Sequence, residues 1–283
     1  MLAITSDYIQ SEGDPQPYLK RIAEAGFTHV HWCHHWYSDF IYTQSEIIQI
    51  RRWLKQYGLG LLNLHASHGN EKYWASPREY QRLAGIELVK NRIQMAARLG
   101  GEVIIIHIPT TAPLEARPAY LKQIRKSLDQ LEAFSRNHSV RIALENMAGD
   151  DWEMLDTLLP EYDPGYLGLC YDSGHANLNG YGIAHLERLK ERLIAVHLHD
   201  NDGNSDQHKI PFTGTVDWTD LAIVIASSAY KQCVNLEVVL RESGFKDEAA
   251  FLQHAHQAGE KLAMLIKAKQ VISSPGNDSD QSS

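Results

Sequence analysis

The chain has 283 residues, 43% of them hydrophobic, enough to bury one large α/β core or two smaller ones. It has no apolar run long enough to span a membrane and no secretion-signal pattern at Met1-Leu-Ala-Ile-Thr-Ser-Asp7, and its three cysteines, Cys33, Cys170 and Cys233, form no CxxC pair. A formal net charge of −8 weighs mildly against a partner gripped by its phosphates, so the expectation is a cytoplasmic protein acting on a small molecule, with no membrane partner and with nucleic acid disfavoured but left open.

Leu2–Thr5 reads as a first strand, and Pro17 to Gly26 as a helix with apolar Leu19, Ile22 and Ala23 and a glycine stop. Thr28–Cys33 alternates as a second strand, followed by loop and helix from Asp39 to Tyr57. Leu59–His65 is the third strand, and Pro77 to Leu99 a long helix ended by Gly100-Gly101. Glu102–His107 is a continuous β-branched run, which implies a strand covered on both faces. A helix over Arg117–Asn137 leads to the strand Val140–Glu145 and a helix near Trp152–Leu159. Leu167–Asp172 is the sixth strand, Ile183–Glu191 helical, and Ile194–His199 the seventh strand. Trp218–Ala229, Cys233–Val239 and Asp247–Lys269 complete the series as helix, strand and helix. Residues 271–283 are polar, low in complexity and read as a disordered tail.

Eight strands alternating with helices, without a domain-sized linker, predict a single-domain (β/α)8 TIM barrel over residues 1–270. An open doubly wound sheet is the other candidate, but no G-x-G-x-x-G follows the first strand.

Six of the eight strands end in a side chain able to hold a metal: His65, His107, Glu145, Asp172, His199 and Glu237. In a closed barrel these ends converge on one rim, where barrel enzymes place their chemistry. Buried carboxylates cost several kcal/mol unless they are paired or bind a cation. Three carboxylates ringed with imidazoles therefore point to one or more divalent metals. Taken singly, His65 is as readily a satisfied strand-end histidine, and Asp172 a helix cap. Glutamates inside apolar strands are harder to explain without a partner. Asp172-Ser-Gly-His175 and Asp206-Gln-His208 extend the set. Trp36 and His68 belong to loops on the same rim and are candidates to touch a substrate, as is Lys209, which with Arg241 is placed to meet a phosphate or is simply solvated. A nucleophile has no support, since there is no Gly-x-Ser-x-Gly and no loop cysteine beside a histidine.

The runs Leu144-Glu-Asn-Met147, Tyr171-Asp-Ser-Gly-His175, His197-Leu-His-Asp-Asn201, Asp206-Gln-His208 with Gly214, and Asn235-Leu-Glu237 resemble the xylose-isomerase-like TIM-barrel superfamily. That superfamily groups sugar and sugar-phosphate isomerases and epimerases with endonuclease IV-like apurinic-site endonucleases, and the resemblance spans roughly residues 1–270. The epimerase pattern implies one Mn²⁺, Mg²⁺ or Co²⁺ held by Glu145, Asp172, His199 and Glu237. It also implies that Glu145 and Glu237 exchange protons across a metal-bound enediolate while His175 binds a substrate hydroxyl. The endonuclease pattern implies a zinc cluster with ligands at His65, His107, Glu145, Asp172, His175, His199, Asp206, His208 and Glu237, all of which are present. The resulting expectation is a divalent-metal-dependent sugar or sugar-phosphate isomerase or epimerase. A zinc phosphoesterase of the apurinic-site endonuclease type is the alternative.

Overall fold

The computed structural model describes residues 1–109, 117–148 and 152–273. Its strands are β1 (Leu2–Thr5), β2 (His29–Trp32), β3 (Gly60–His65), β4 (Val103–His107), β5 (Arg141–Glu145), β6 (Leu167–Asp172), β7 (Leu193–His197) and β8 (Val234–Leu236). They form one eight-stranded sheet in the order β7-β6-β5-β4-β3-β2-β1-β8, and every adjacent pair is parallel. The two end strands meet just beyond β7: Leu198 pairs with Leu236, its N–H donating to the Asn235 carbonyl at 3.0 Å while Glu237 N–H donates to the Leu198 carbonyl at 3.2 Å. The sheet is thereby closed, so the chain is a TIM barrel and not an open sheet.

Helices α1 (Gln16–Glu24), α2 (Gln44–Tyr57), α3 (Glu79–Leu99), α4 (Arg117–Asn137), α5 (Trp152–Leu158), α6 (Ser173–Asn179), α7 (Gly182–Leu189), α8 (Trp218–Ser227) and α9 (Glu248–Ser273) lie between and after the strands. Thr43 and Glu46 form a capping box at the start of α2, and Gly58 ends that helix at φ +69°, a left-handed turn that glycine takes without strain. The last helix runs to Ser273, into the stretch read as tail; residues 274–283 lie outside those described. A short helix absent from the sequence reading, α6, follows β6 directly. Among the described residues no helix is long and apolar enough to cross a membrane.

Packing follows the strand period of two. Val103, Ile105, Ala143, Cys170, Ile194 and Ala195 form a small cluster filling the barrel interior, while Ile104, Ile106, Leu144, Leu169 and Val196 join the larger core beneath the helices. Each buried Leu or Ile contributes roughly 1.5–3 kcal/mol, which lets the barrel carry a polar layer at its upper end.

Candidate metal centre

The polar layer continues the inward-facing series. Two residues beyond Ile105, Ala143, Cys170 and Ala195 stand His107, Glu145, Asp172 and His197, on the same face of their strands. The ladder sets their heights, pairing His107 with Glu145 and Asp172 with His197. His197 is therefore level with Asp172, and His199 sits about 6.6 Å further up the strand direction. The expected four-residue set is Glu145, Asp172, His199 and Glu237, and His199 Nε2 stands 3.0 Å from each Asp172 carboxylate oxygen. The ligand atoms of Glu145, Asp172, His197 and Glu237 lie within 4.8 Å of one another, and His199 is not in that group. Glu145 Oε1 and Glu237 Oε2 each stand 2.8 Å from His197 Nδ1.

A second group adjoins the first through Glu145. His65 Nε2 and His107 Nε2 are 2.8 Å apart, and Glu145 Oε2 lies 3.4 Å from the former and 3.1 Å from the latter. The third group gathers His175, His199, Asp206 and His208. Asp206 Oδ2 is 3.2 Å from both His175 Nε2 and His208 Nε2, and His199 stacks on His208 with ring centroids 3.9 Å apart.

The loop bearing Asp206 and His208 is held from below. The buried Asp200 carboxylate accepts from Trp218 Nε1–H at 2.8 Å, Asn201 N–H at 3.0 Å and Val216 N–H at 3.1 Å. Gly214 lies so close to the Asn201 carbonyl that no side chain fits there. Gly174, in the first turn of α6, lies equally close to the His199 ring. Gly174→Ala is therefore expected to displace His199 and weaken metal binding in the third group by about 10- to 100-fold, the usual cost of disturbing a supporting contact. Elemental analysis after dialysis against a weak chelator checks this; unchanged metal retention would show that His199 is not needed there.

The donor set suits divalent cations. Histidines that bind metals through Nε2 characteristically donate Nδ1–H to a carbonyl or carboxylate. Here His65 Nδ1 faces the Ala66 carbonyl at 3.2 Å, His175 Nδ1 that of Asn146 at 3.0 Å, and His208 Nδ1 that of Glu237 at 2.9 Å. All three thus present Nε2 to the groups just described. His199 Nδ1 is buried with no hydrogen-bond partner, and Glu145 Oε2 is buried with only the His107 and His65 imidazoles facing it. Cys170 lies beside Glu145 and His197, but burial pushes its thiol up to about 12, so it stays protonated.

The electrostatics follow from this crowding. Burial opposes charge on Glu145 and Glu237, yet His197 and His107 hold Glu145 well below the ordinary carboxylate range, and His197 does the same for Glu237. Burial likewise opposes charge on His175, but Asp172, Asp206 and Glu145 raise it well above the ordinary imidazole value. His208 is raised to about 9 against burial by Asp206 and Glu237. His68 is lowered to about 3 by burial and by the neighbouring His107 and His65.

Above the groups lies a cavity of about 410 Å³ walled by Glu237, His208, Asp7, Gln10, Trp36 and Arg241, among others. Trp36 stands over the second group, its ring 5.0 Å from His65 and 5.4 Å from His107, and His68 lies 6.0 Å from it. Lys209 pairs through its backbone with Asp200, and the cation on the cavity wall is Arg241. Two wall or floor residues were not among the candidate site residues of the sequence reading. His197 was passed over in favour of His199. Asp7, two residues past β1 and in phase with Ala3 and Thr5, accepts from the Thr5 hydroxyl; burial raises its pKa, and Glu237 adds to the rise. The alternation Ala3-x-Thr5-x-Asp7 was the available signal.

The family model described as xylose isomerase-like TIM barrel matches residues 19–255. The uncharacterized protein y4fM of Sinorhizobium fredii is 32% identical over 275 residues, covering 88% of each chain. A probable endonuclease 4 of Staphylococcus saprophyticus is 25% identical over 174 residues, covering 55% of this chain and 57% of that one. Among solved structures, a D-tagatose 3-epimerase-like protein superposes with a TM-score of 0.77 at 21% identity, covering 96% of this chain and 99% of that chain. A match over most of the barrel together with a full-length relative decides membership: this chain belongs to the xylose isomerase-like TIM barrel family.

Proposed function

We propose that the chain is a divalent-metal-dependent sugar isomerase or epimerase in which Glu145 and Glu237 move the proton. The observation that carries this is the meeting of those two carboxylates, from strands three apart around the barrel, at a single nitrogen of His197 beneath the cavity. The likeness to a D-tagatose 3-epimerase-like protein supports it. Glu145, Asp172, His197 and Glu237 would hold one Mn²⁺, Mg²⁺ or Co²⁺, whose Lewis acidity would polarise the carbonyl of a hydroxy-ketone or hydroxy-aldehyde.

Both glutamates are ionised at neutral pH, so either serves as the base that takes a proton from carbon. The acid so formed, or the second glutamate after gaining a solvent proton, returns a proton to carbon. Return to the opposite face inverts one centre, and return to the adjacent carbon interconverts aldose and ketose. Glu237 stands on the cavity wall and Glu145 below it, so the two address the substrate from different sides. Asp7 and His175 would accept from or donate to sugar hydroxyls, and Trp36 would cover the apolar face of the sugar.

The test is incubation of the manganese-loaded protein with free and phosphorylated ketoses in D₂O, read by NMR. Deuterium at a carbon beside the carbonyl is the expected result. No exchange with any sugar overturns the reading. A second reading, zinc phosphoester hydrolysis, is favoured by the presence of all three ligand groups and by the endonuclease 4 relatives. Nicking of abasic duplex by protein loaded with two or three zinc ions would select it.

Metal binding is expected to tighten with pH. His175 and His208 hold protons at neutral pH that a metal on Nε2 must displace. Affinity in the third group should rise about tenfold per pH unit for each proton released, levelling off near pH 9 for His208. With chelator present the sign reverses for stability. His208 is raised from its unfolded value near 6.5, so its contribution is complete below that pH and is lost as pH climbs through about 9. Competition titrations and melting curves from pH 6 to 9 check both; flat affinity across that range would place the metal elsewhere.

A further inference from the structure

A second cavity, of about 310 Å³, opens on the outer side of the loops that wall the metal centre and shares no lining residue with the first. One wall is a stripe of α2, where Glu46, Gln49, Ile50 and Trp53 recur at the three- and four-residue spacing that puts side chains on one helix face. The opposite wall is the turn Gly13-Asp14-Pro15 ahead of α1, and Trp32, His34 and Phe40 contribute the floor.

Three features of these walls select a ligand. The aromatic density is high, and Trp53 is only half-buried, so part of its indole remains open. Among the lining residues there are two carboxylates, Asp14 and Glu46, and neither lysine nor arginine. His34 is 1% exposed, and neither of its ring nitrogens makes a well-formed hydrogen bond within the fold. Burial lowers it to about 4, which leaves a neutral ring able to accept from a ligand hydroxyl or N–H. An anion would meet the carboxylates first, because the nearest guanidinium, Arg92, is buried behind Tyr42 with donors engaged by the Phe40 carbonyl and the Ser67 hydroxyl. A neutral apolar ligand would leave the carboxylates and His34 unused. A positive charge over an aromatic face beside a carboxylate is favourable on both counts.

We infer that this cleft is a binding site for a small organic cation, held over Trp53 with Glu46 and Asp14 supplying the counter-charge and His34 accepting a ligand hydrogen bond. It is independent of the proposed reaction, since it shares none of that cavity's walls.

The probe is choline, compared with its neutral isostere 3,3-dimethylbutan-1-ol and with 3,3-dimethylbutanoate, by titration calorimetry on the full chain. Choline is expected to bind at least tenfold tighter than the alcohol, and the anion not at all. Trp53→Ala should weaken choline about tenfold. Glu46→Gln should weaken choline several-fold and leave the alcohol unchanged. Glutamine at that helix position still completes the capping box, so the variant keeps its fold, and circular dichroism verifies this for both. Equal binding of choline and its isostere, absence of choline binding at millimolar concentration, or choline affinity unaffected by both substitutions each overturns the proposal.

Discussion

Glu145→Gln is expected to lower turnover by about a thousandfold on whichever sugar the wild-type protein exchanges in D₂O, the middle of the range for a lost general base. The substitution preserves shape and changes two things. It removes the basic oxygen, and it puts an amide where a carboxylate stands between His197 on one side and His65 and His107 on the other. Metal content measured on the same sample separates these effects. Retained metal with lost turnover assigns Glu145 to proton transfer, and lost metal assigns it chiefly to coordination. Glu237→Gln gives the complementary result. If two bases serve opposite faces, each variant should still exchange deuterium into one epimer and fail with the other. Near-normal turnover in either variant would end the two-glutamate mechanism.

The barrel was legible because its signals are local and repeated. Strand periodicity, the glycines after α2 and α3, and the β-branched run in β4 each identify an element without knowledge of its neighbours. Parallel closure then requires the strand ends to converge, which is why His65, His107, Glu145, Asp172, His199 and Glu237 were read as one candidate site from positions far apart in sequence. What escaped depends on tertiary pairing. Ile194–His199 looks like one strand, yet β7 stops at His197, because Leu198 turns to pair with Leu236 and Asp200 pairs with Lys209. The β6–β7 register, with its shift at Leu169/Cys170, decides which histidine is level with Asp172, and nothing local announces it. Helix α6, Ser-Gly-His-Ala-Asn-Leu-Asn, has poor intrinsic propensity and is started by Asp172, whose carboxylate accepts from His175 N–H at 2.7 Å. Asp7 was hidden because an Asp after a four-residue strand reads as a turn. Residues 110–116, in the loop after β4, lie outside the described residues.

The placement of His197 and His199 makes the other large prediction, since on the proposed ligand set the two should fail in different ways. His197 is fully buried and is the main attraction holding both Glu145 and Glu237 in their ionised forms. His197→Ala leaves two buried carboxylates facing each other with their common partner gone, at a cost of about 3–5 kcal/mol. For a chain of this size that corresponds to a fall in Tm of roughly 5–8 °C, read with chelator present so that no cation substitutes for the imidazole. The same variant should lose the metal of the Glu145, Asp172 and Glu237 group and with it all exchange activity. His199 faces Asp172 at 3.0 Å and stacks on His208. Its removal takes one contact from Asp172 but otherwise touches the third group, so with His197 as the inner ligand His199→Ala should keep one equivalent of tightly held metal and most of its melting temperature. The reverse pattern, with His199→Ala emptying the inner group and His197→Ala retaining it, would mean that ladder register does not set the ligand and that the fourth place belongs to His199.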